Sequence, residues 1–160
     1  MEDLLKKEPV KRVLKVLNDF DESLKVETLI SSARTAKDAS ESLKTEVGSI
    51  VKSLLLRRKS SFLLCLVAGD KRCSLNKIKK LLNEKDVSMA NADQVKEITG
   101  FTIGGVSPVG HLNKIDIFID NSLERFNFLF AAAGHPNCVF KINFKDLQKI
   151  TKGTIKEITE

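Results

Sequence analysis

The chain has 160 residues, carries a formal net charge of +6 with a pI near 9.2, and is 42% apolar and 30% charged. That is enough apolar chain for one hydrophobic core. It excludes a membrane helix, because the longest apolar run, Phe62 to Ala68, falls well short of the roughly 18–20 residues a span needs.

In chain order, Pro9 opens a helical pattern with Val10, Val13, Leu14 and Leu17 on one face. Leu24 to Leu29 reads as a short strand. Thr35 then caps a helix over Ala36 to Lys44, with Asp38 three residues on. Ile50–Leu56 and Phe62–Ala68 read as two strands joined by a basic turn. Gly69 to Arg72 is the next turn, and Ser74 caps a helix reaching Leu82. Val87–Ala90 reads as a short strand. Asn91 caps another helix, with Gln94 at its third position and Gly100 at its end. From Gly100 to Asn113 the chain is punctuated by Gly100, Gly104, Gly105, Pro108 and Gly110. Three strand-like segments follow, Ile115–Ile119, Phe126–Ala132 and Val139–Ile142, the last two separated by the turn Gly134-His135-Pro136-Asn137. A final helix runs from Asn143 or Phe144 to Lys152, Gly153 ends it, and Thr154–Ile158 closes the chain as a strand. Strands and helices mix without strict alternation and without internal repeats. The expectation is one domain over residues 1–160, α+β in class, with a mixed, curved β-sheet flanked by helices.

The charge surplus favours anionic partners without proving one. The basic residues gather at Arg57-Arg58-Lys59, Lys71-Arg72 and Lys77, Lys79, Lys80. With no Trp or Tyr in the chain, reading of single strands by stacked bases is disfavoured. The three cysteines, Cys65, Cys73 and Cys138, are odd in number and follow no metal-ligand spacing, and Cys65 reads as a buried apolar filler. Met1 to Lys7 lacks a signal-peptide apolar region, so the expected location is cytoplasmic, with no membrane partner.

The usual catalytic devices are scarce. There are two histidines, His111 and His135, no His-x-x-x-His or Cys-x-x-Cys pair, no Gly-x-Ser-x-Gly elbow and no P-loop. Neither a metal nor any other cofactor is expected. An enzyme built from this chain would work by positioning its substrate and polarising it with backbone groups. Two glycine loops suit that role. In Gly104-Gly105-Val106-Ser107-Pro108 the glycines let N–H groups approach a ligand and the proline stiffens the exit. A plain turn would have the same composition. Gly134-His135-Pro136-Asn137 is the second loop, with a tight hairpin as its plainer reading. Lys52, in Ile50-Val51-Lys52-Ser53-Leu54, shares a strand face with Ile50 and Leu54. A charge there calls for a partner, a ligand or a route to water.

These features occur together in a known family. The segments Ile50-Val51-Lys52-Ser53-Leu54, Ala68-Gly69-Asp70-Lys71-Arg72, the long block Thr99 to His111, Ile119-Asp120-Asn121-Ser122-Leu123 and Ala133-Gly134-His135-Pro136-Asn137 resemble the YbaK-like family, also called the prolyl-tRNA synthetase-associated editing domain. The resemblance covers about residues 24–160 and is thin over the first 20. It implies a barrel-like mixed sheet flanked by helices. It also implies hydrolysis of the ester between a wrong amino acid and the terminal adenosine of tRNA, by an enzyme acting in trans. By the same resemblance, Lys52 holds the 3′ end of the substrate, while Gly104 and Pro108 line the amino-acid pocket and its carbonyl. Gly105, Ser107, His111, Gly134, His135 and Pro136 are the neighbouring substrate-binding candidates. The attacking water would be assisted by the ribose hydroxyl of the substrate, with His111 the alternative base. Implied partners are aminoacyl-tRNA, charged with a small amino acid on tRNA-Pro or a related tRNA, and a synthetase or an elongation factor. The competing reading is a non-catalytic tRNA-binding module of the same fold.

Overall fold

The computed structural model describes residues 3–31 and 34–160. An initial helix, α1 (Glu8–Phe20), carries Pro9 in its first turn and buries Val10, Val13 and Leu17. Next come β1 (Val26–Thr28) and α2 (Ala36–Leu43), whose cap Thr35 accepts from the N–H of Asp38 at 3.1 Å. The helix stops where Lys44 takes a left-handed conformation. A long antiparallel hairpin follows, β2 (Ile50–Arg58) and β3 (Ser61–Ala68). Arg57 and Arg58, expected in the turn, are strand residues, because a two-residue turn with Lys59 at φ 52° suffices to reverse the chain.

α3 (Leu75–Leu82), β4 (Val87–Met89) and α4 (Ala92–Thr99) come next. Asn91 and Gln94 form the reciprocal cap of α4, and Gly100 at φ 80° ends it. The second half holds β5 (Asp116–Asp120), β6 (Leu129–Ala132), β7 (Cys138–Ile142), α5 (Phe144–Thr151) and β8 (Thr154–Lys156). The strand expected from Phe126 starts only at Leu129, after a 3-10 turn over Asn121–Arg125. The last helix is ended by Lys152 at φ 56°, not by Gly153.

The strands form one mixed sheet in the order β1-β7-β6-β2-β3-β5-β8, with β4 on β2. The barrel-like sheet of the resemblance is present in open form, with β1 and β8 as edges. β3 lies inside the sheet between β2 and β5, and every residue from Leu63 to Ala68 is wholly buried. Period-two alternation sends Leu64, Leu66 and Ala68 into one apolar cluster with α1, α4 and α5. Leu63, Cys65 and Val67 enter a second cluster with Ile78 of α3 and Ile158. Cys65 is thus the buried filler its context indicated.

The feature that positions the site is a gap along β2. On its outer side β6 pairs only with Ile50 and Val51, and β4 pairs only with Leu56 to Arg58. Residues 52–55 have no strand opposite them there. The N–H of Gly69 donates to Ile50 O at 2.8 Å. In this antiparallel register the backbone groups of Ile50, Lys52 and Leu54 therefore face β3, and those of Ser53 face the gap.

Candidate functional site

A cavity of about 370 Å³ opens at this gap. Its walls come from β2 (Ile50 to Leu55), α2 (Ala36, Ala39, Leu43), β6, Ile103, Gly104, Val106 and Pro136. It is mostly apolar. Among the described residues its only charged lining residues are Arg34 and Lys52, and no Asp, Glu or His reaches it. A second, shallower cavity of about 550 Å³ lies across Lys52 and is lined by Asp70, Lys71, Arg72, Cys73 and Leu75.

Lys52 and Met89, with Leu54, belong to both cavities. The Lys52 ammonium donates to Lys71 O at 2.5 Å and has no carboxylate partner among the described residues. Burial lowers its pKa; the Cys73 and Asp70 charges push it back up and Arg72 pushes it down. A half-buried cation without a counter-ion is costly, so this site is disposed to take an anion or a polar oxygen. Asp70 cannot neutralise Lys52 directly. Its carboxylate is clamped bidentate by Arg125 at 2.7 and 3.0 Å.

The glycine loop meets the cavity at Gly104, whose φ is 95°. The N–H of Gly105 is taken by Thr102 O at 2.9 Å. The N–H groups of Gly104 and Val106 have no partner among the described residues and are the donors this loop can offer. Gly105 is buried behind it, and a Cβ there would stand 3.0 Å from the backbone of His135. The two glycine loops therefore touch back to back. Gly134, at φ 94°, abuts Pro9, whose carbonyl a Cβ would meet at 2.8 Å. Pro136 reaches the cavity wall, whereas His135 does not line it; its Nδ1 accepts from the N–H of Asn137 at 3.0 Å.

Ser107, Pro108 and His111 lie behind the cavity rather than in its wall. Ser107 is fully buried, with its Oγ accepting from Val109 N–H at 3.3 Å. The Nε2 of His111 donates to Ser107 O at 2.7 Å, and the ring packs edge-on against Phe101 at 5.9 Å. Burial is the main cause holding the His111 pKa below 6.5, with Arg12 adding to it and the Ser107 bond opposing. The neutral ring is then favoured only in the folded chain. Its stabilising contribution is complete above about pH 6.5 and is lost as pH falls towards the folded pKa. Urea unfolding at pH 7.5 and 5.5 is expected to show a larger acid loss in wild type than in His111→Asn. Equal losses would contradict a depressed His111.

Two contributors escaped the sequence reading. Ser53 carries the one buried side-chain oxygen without a hydrogen-bond partner among the described residues, and it lines the cavity. Its neighbour Lys52 drew attention by charge, while a serine in a strand gives no such signal. Arg12 of α1 donates to Gly100 O at 2.8 Å and Gly110 O at 3.1 Å, and stacks 5.0 Å from the Phe101 ring centroid. It fastens both ends of the glycine block. The basic clusters are also less available than their sequence suggests. Arg57 pairs with Asp86, Arg58 with Glu84 and Lys77 with Glu157.

Comparison with known proteins matches residues 30–150 to the aminoacyl-tRNA editing domain. The chain belongs to this family. A solved structure described as a candidate trans-editing enzyme for prolyl-tRNA synthetase superposes on the editing domain with a TM-score of 0.90 at 35% identity, covering 96% of this chain and 98% of that one. The proline–tRNA ligase of Caldicellulosiruptor bescii is 29% identical over 147 residues, which are 91% of this chain and 25% of the ligase. The chain thus spans about a quarter of that relative. EbsC of Enterococcus faecalis, described as a candidate Cys-tRNA(Pro)/Cys-tRNA(Cys) deacylase, is 25% identical over 78% of this chain and 77% of its own. Among the described residues no helix is long and apolar enough to cross a membrane.

Proposed function

We propose that this protein hydrolyses the ester joining a misplaced amino acid to the terminal adenosine of a tRNA, acting in trans. The observation that carries the reading is the pairing of an apolar cavity with an uncompensated lysine at its junction with a second, polar one. The amino acid enters the 370 Å³ cavity. Its ester carbonyl faces the free N–H groups of Gly104 and Val106, and the adenosine end rests against Lys52. Developing negative charge on the carbonyl is met by donors already in place, the kind of contribution whose loss typically costs about 100- to 1,000-fold in rate. Among the described residues the cavity holds no carboxylate or imidazole to act as a base. Water attack assisted by the neighbouring ribose hydroxyl fits that wall, with the protein supplying orientation. His111, turned into the loop and bonded to Ser107, is a buttress of the loop.

A relative described as a candidate Cys-tRNA(Pro)/Cys-tRNA(Cys) deacylase and a structure described as a candidate trans-editing enzyme for prolyl-tRNA synthetase support tRNA-Pro as the carrier. Apolar walls with one unpartnered hydroxyl, Ser53, suit a small amino acid such as alanine, serine, threonine or cysteine. Such a checkpoint answers a physical need, since a missing methylene is discriminated by only roughly 1–3 kcal/mol in one binding step. The test is hydrolysis of tRNA-Pro charged with alanine, cysteine, serine or proline, and of tRNA-Ala charged with serine. Rapid loss of one mischarged species with Pro-tRNA-Pro spared is expected. Tight tRNA binding without hydrolysis of any species would replace the deacylase with a binding module.

A further inference from the structure

We propose that Cys73 and Cys65 form a thiol-modification site: Cys73 is oxidised by a hydroperoxide and Cys65 then closes it into a reversible disulfide beside Lys52. Cys65 projects from β3 and has no exposed surface. Cys73 follows the turn after β3, where its backbone bridges Thr159. Its side chain packs on the apolar cluster that contains Cys65 and also lines the open second cavity with Lys52, Lys71 and Arg72. Each thiol bears directly on the other's proton affinity. One thiol can thus be reached by a small solute through the cavity, and the other waits behind it.

Exposure divides the roles: Cys73 lines the open second cavity, and Cys65 has no exposed surface. The neighbouring Cys65 thiol is the main cause lowering the Cys73 pKa, with Lys52 adding to it; burial, Asp120 and Glu160 oppose. The Cys73 thiol, then burial, raises the Cys65 pKa and favours its protonated form. A partly exposed thiol with thiolate character beside an enclosed second thiol is the arrangement of a peroxidatic and resolving pair. Cys138, on β7 in the main core, is raised by burial and serves as an internal control.

In the first step the Cys73 thiolate attacks one oxygen of hydrogen peroxide and breaks the O–O bond. This gives Cys73 sulfenic acid and a hydroxide, which takes a proton and leaves as water. In the second step the Cys65 sulfur displaces the sulfenic hydroxyl, which leaves as water with the proton from Cys65. The two thiols supply two electrons, and one peroxide becomes two waters. A dithiol reverses the bond by exchange. Closure draws on the Lys71–Cys73 segment, whose Lys71 carbonyl holds the Lys52 ammonium. Any resulting loss of hydrolysis rests on the deacylase reading; the bond itself does not.

The test treats the whole protein with a few equivalents of hydrogen peroxide, alkylates the remaining thiols with iodoacetamide and digests with trypsin without reductant. Lys71 and Arg72 lie between the two cysteines, so the bond would join peptide 60–71 to peptide 73–77. That joined species is expected, absent after dithiothreitol, with Cys138 alkylated. In Cys65→Ala the reaction should stop at Cys73 sulfenic acid, trapped by dimedone. Alkylated Cys65 and Cys73 after peroxide, or Cys73 driven to sulfinic acid while Cys65 stays free, would overturn the pair. If untreated protein hydrolyses no aminoacyl-tRNA, the deacylase reading falls and the joined peptide still decides the thiol site.

Discussion

Lys52→Ala is expected to lower the single-turnover rate of deacylation by at least about 100-fold with no loss of thermal stability. The lysine sits where β2 loses its neighbour on one side, and it touches both cavities. Its ammonium makes one hydrogen bond, to Lys71 O, and no ion pair among the described residues. Burial works against the charge, as the lowered pKa records. Removing such a cation relieves desolvation as well as breaking a bond. The melting temperature should therefore hold or rise while hydrolysis collapses. A purely structural lysine would show the reverse pattern. An unchanged rate in the variant would remove Lys52 from the site. Lys52→Met, which keeps the apolar stem, should be as inactive as alanine, since it is the charge that is missing.

Gly104→Val is expected to abolish most hydrolysis and to lower the melting temperature by several degrees. At φ 95° an L side chain is strained by roughly 1–2 kcal/mol, and a β-branched one by more. About 1 kcal/mol corresponds to roughly 2–4 °C for a domain of this size. A Cβ at this position would also meet the Arg34 side chain at 2.8 Å. That chain is flexible and can yield, so the backbone sets the stability cost. The valine methyl groups enter the cavity wall, and they set the cost in rate. Gly104→Ala separates the two effects: it should share much of the stability loss and retain more activity. Full activity with valine would take the loop out of the site.

Much of the fold was legible because its signals are local. Caps such as Thr35, Ser74, Asn91 and Asn143 each accept from the N–H three residues on, and that pattern is written in adjacent residues. Element ends were less so. Arg57 and Arg58 look like turn residues but extend β2, because cross-strand pairing and their partners Asp86 and Glu84 hold them there. Charge clusters in sequence say nothing about neighbours from other elements.

The sequence by itself determined the α+β class, the order of helices and strands, the buried strand Phe62–Ala68 and the two glycine loops. Each follows from periodicity, capping and backbone freedom over a few residues. Only the tertiary structure decided what those loops do together. It set Gly105 against His135, Gly134 against Pro9, and Arg12 across Gly100 and Gly110, so that α1, where the family likeness is thin, becomes the platform of the site. It also ended β6 before β4 begins, which leaves Ser53 facing a gap and Lys52 between two cavities. These contacts join residues well over a hundred positions apart in the case of Gly134 and Pro9, are fixed by packing and strand register, and no local pattern in the chain encodes them.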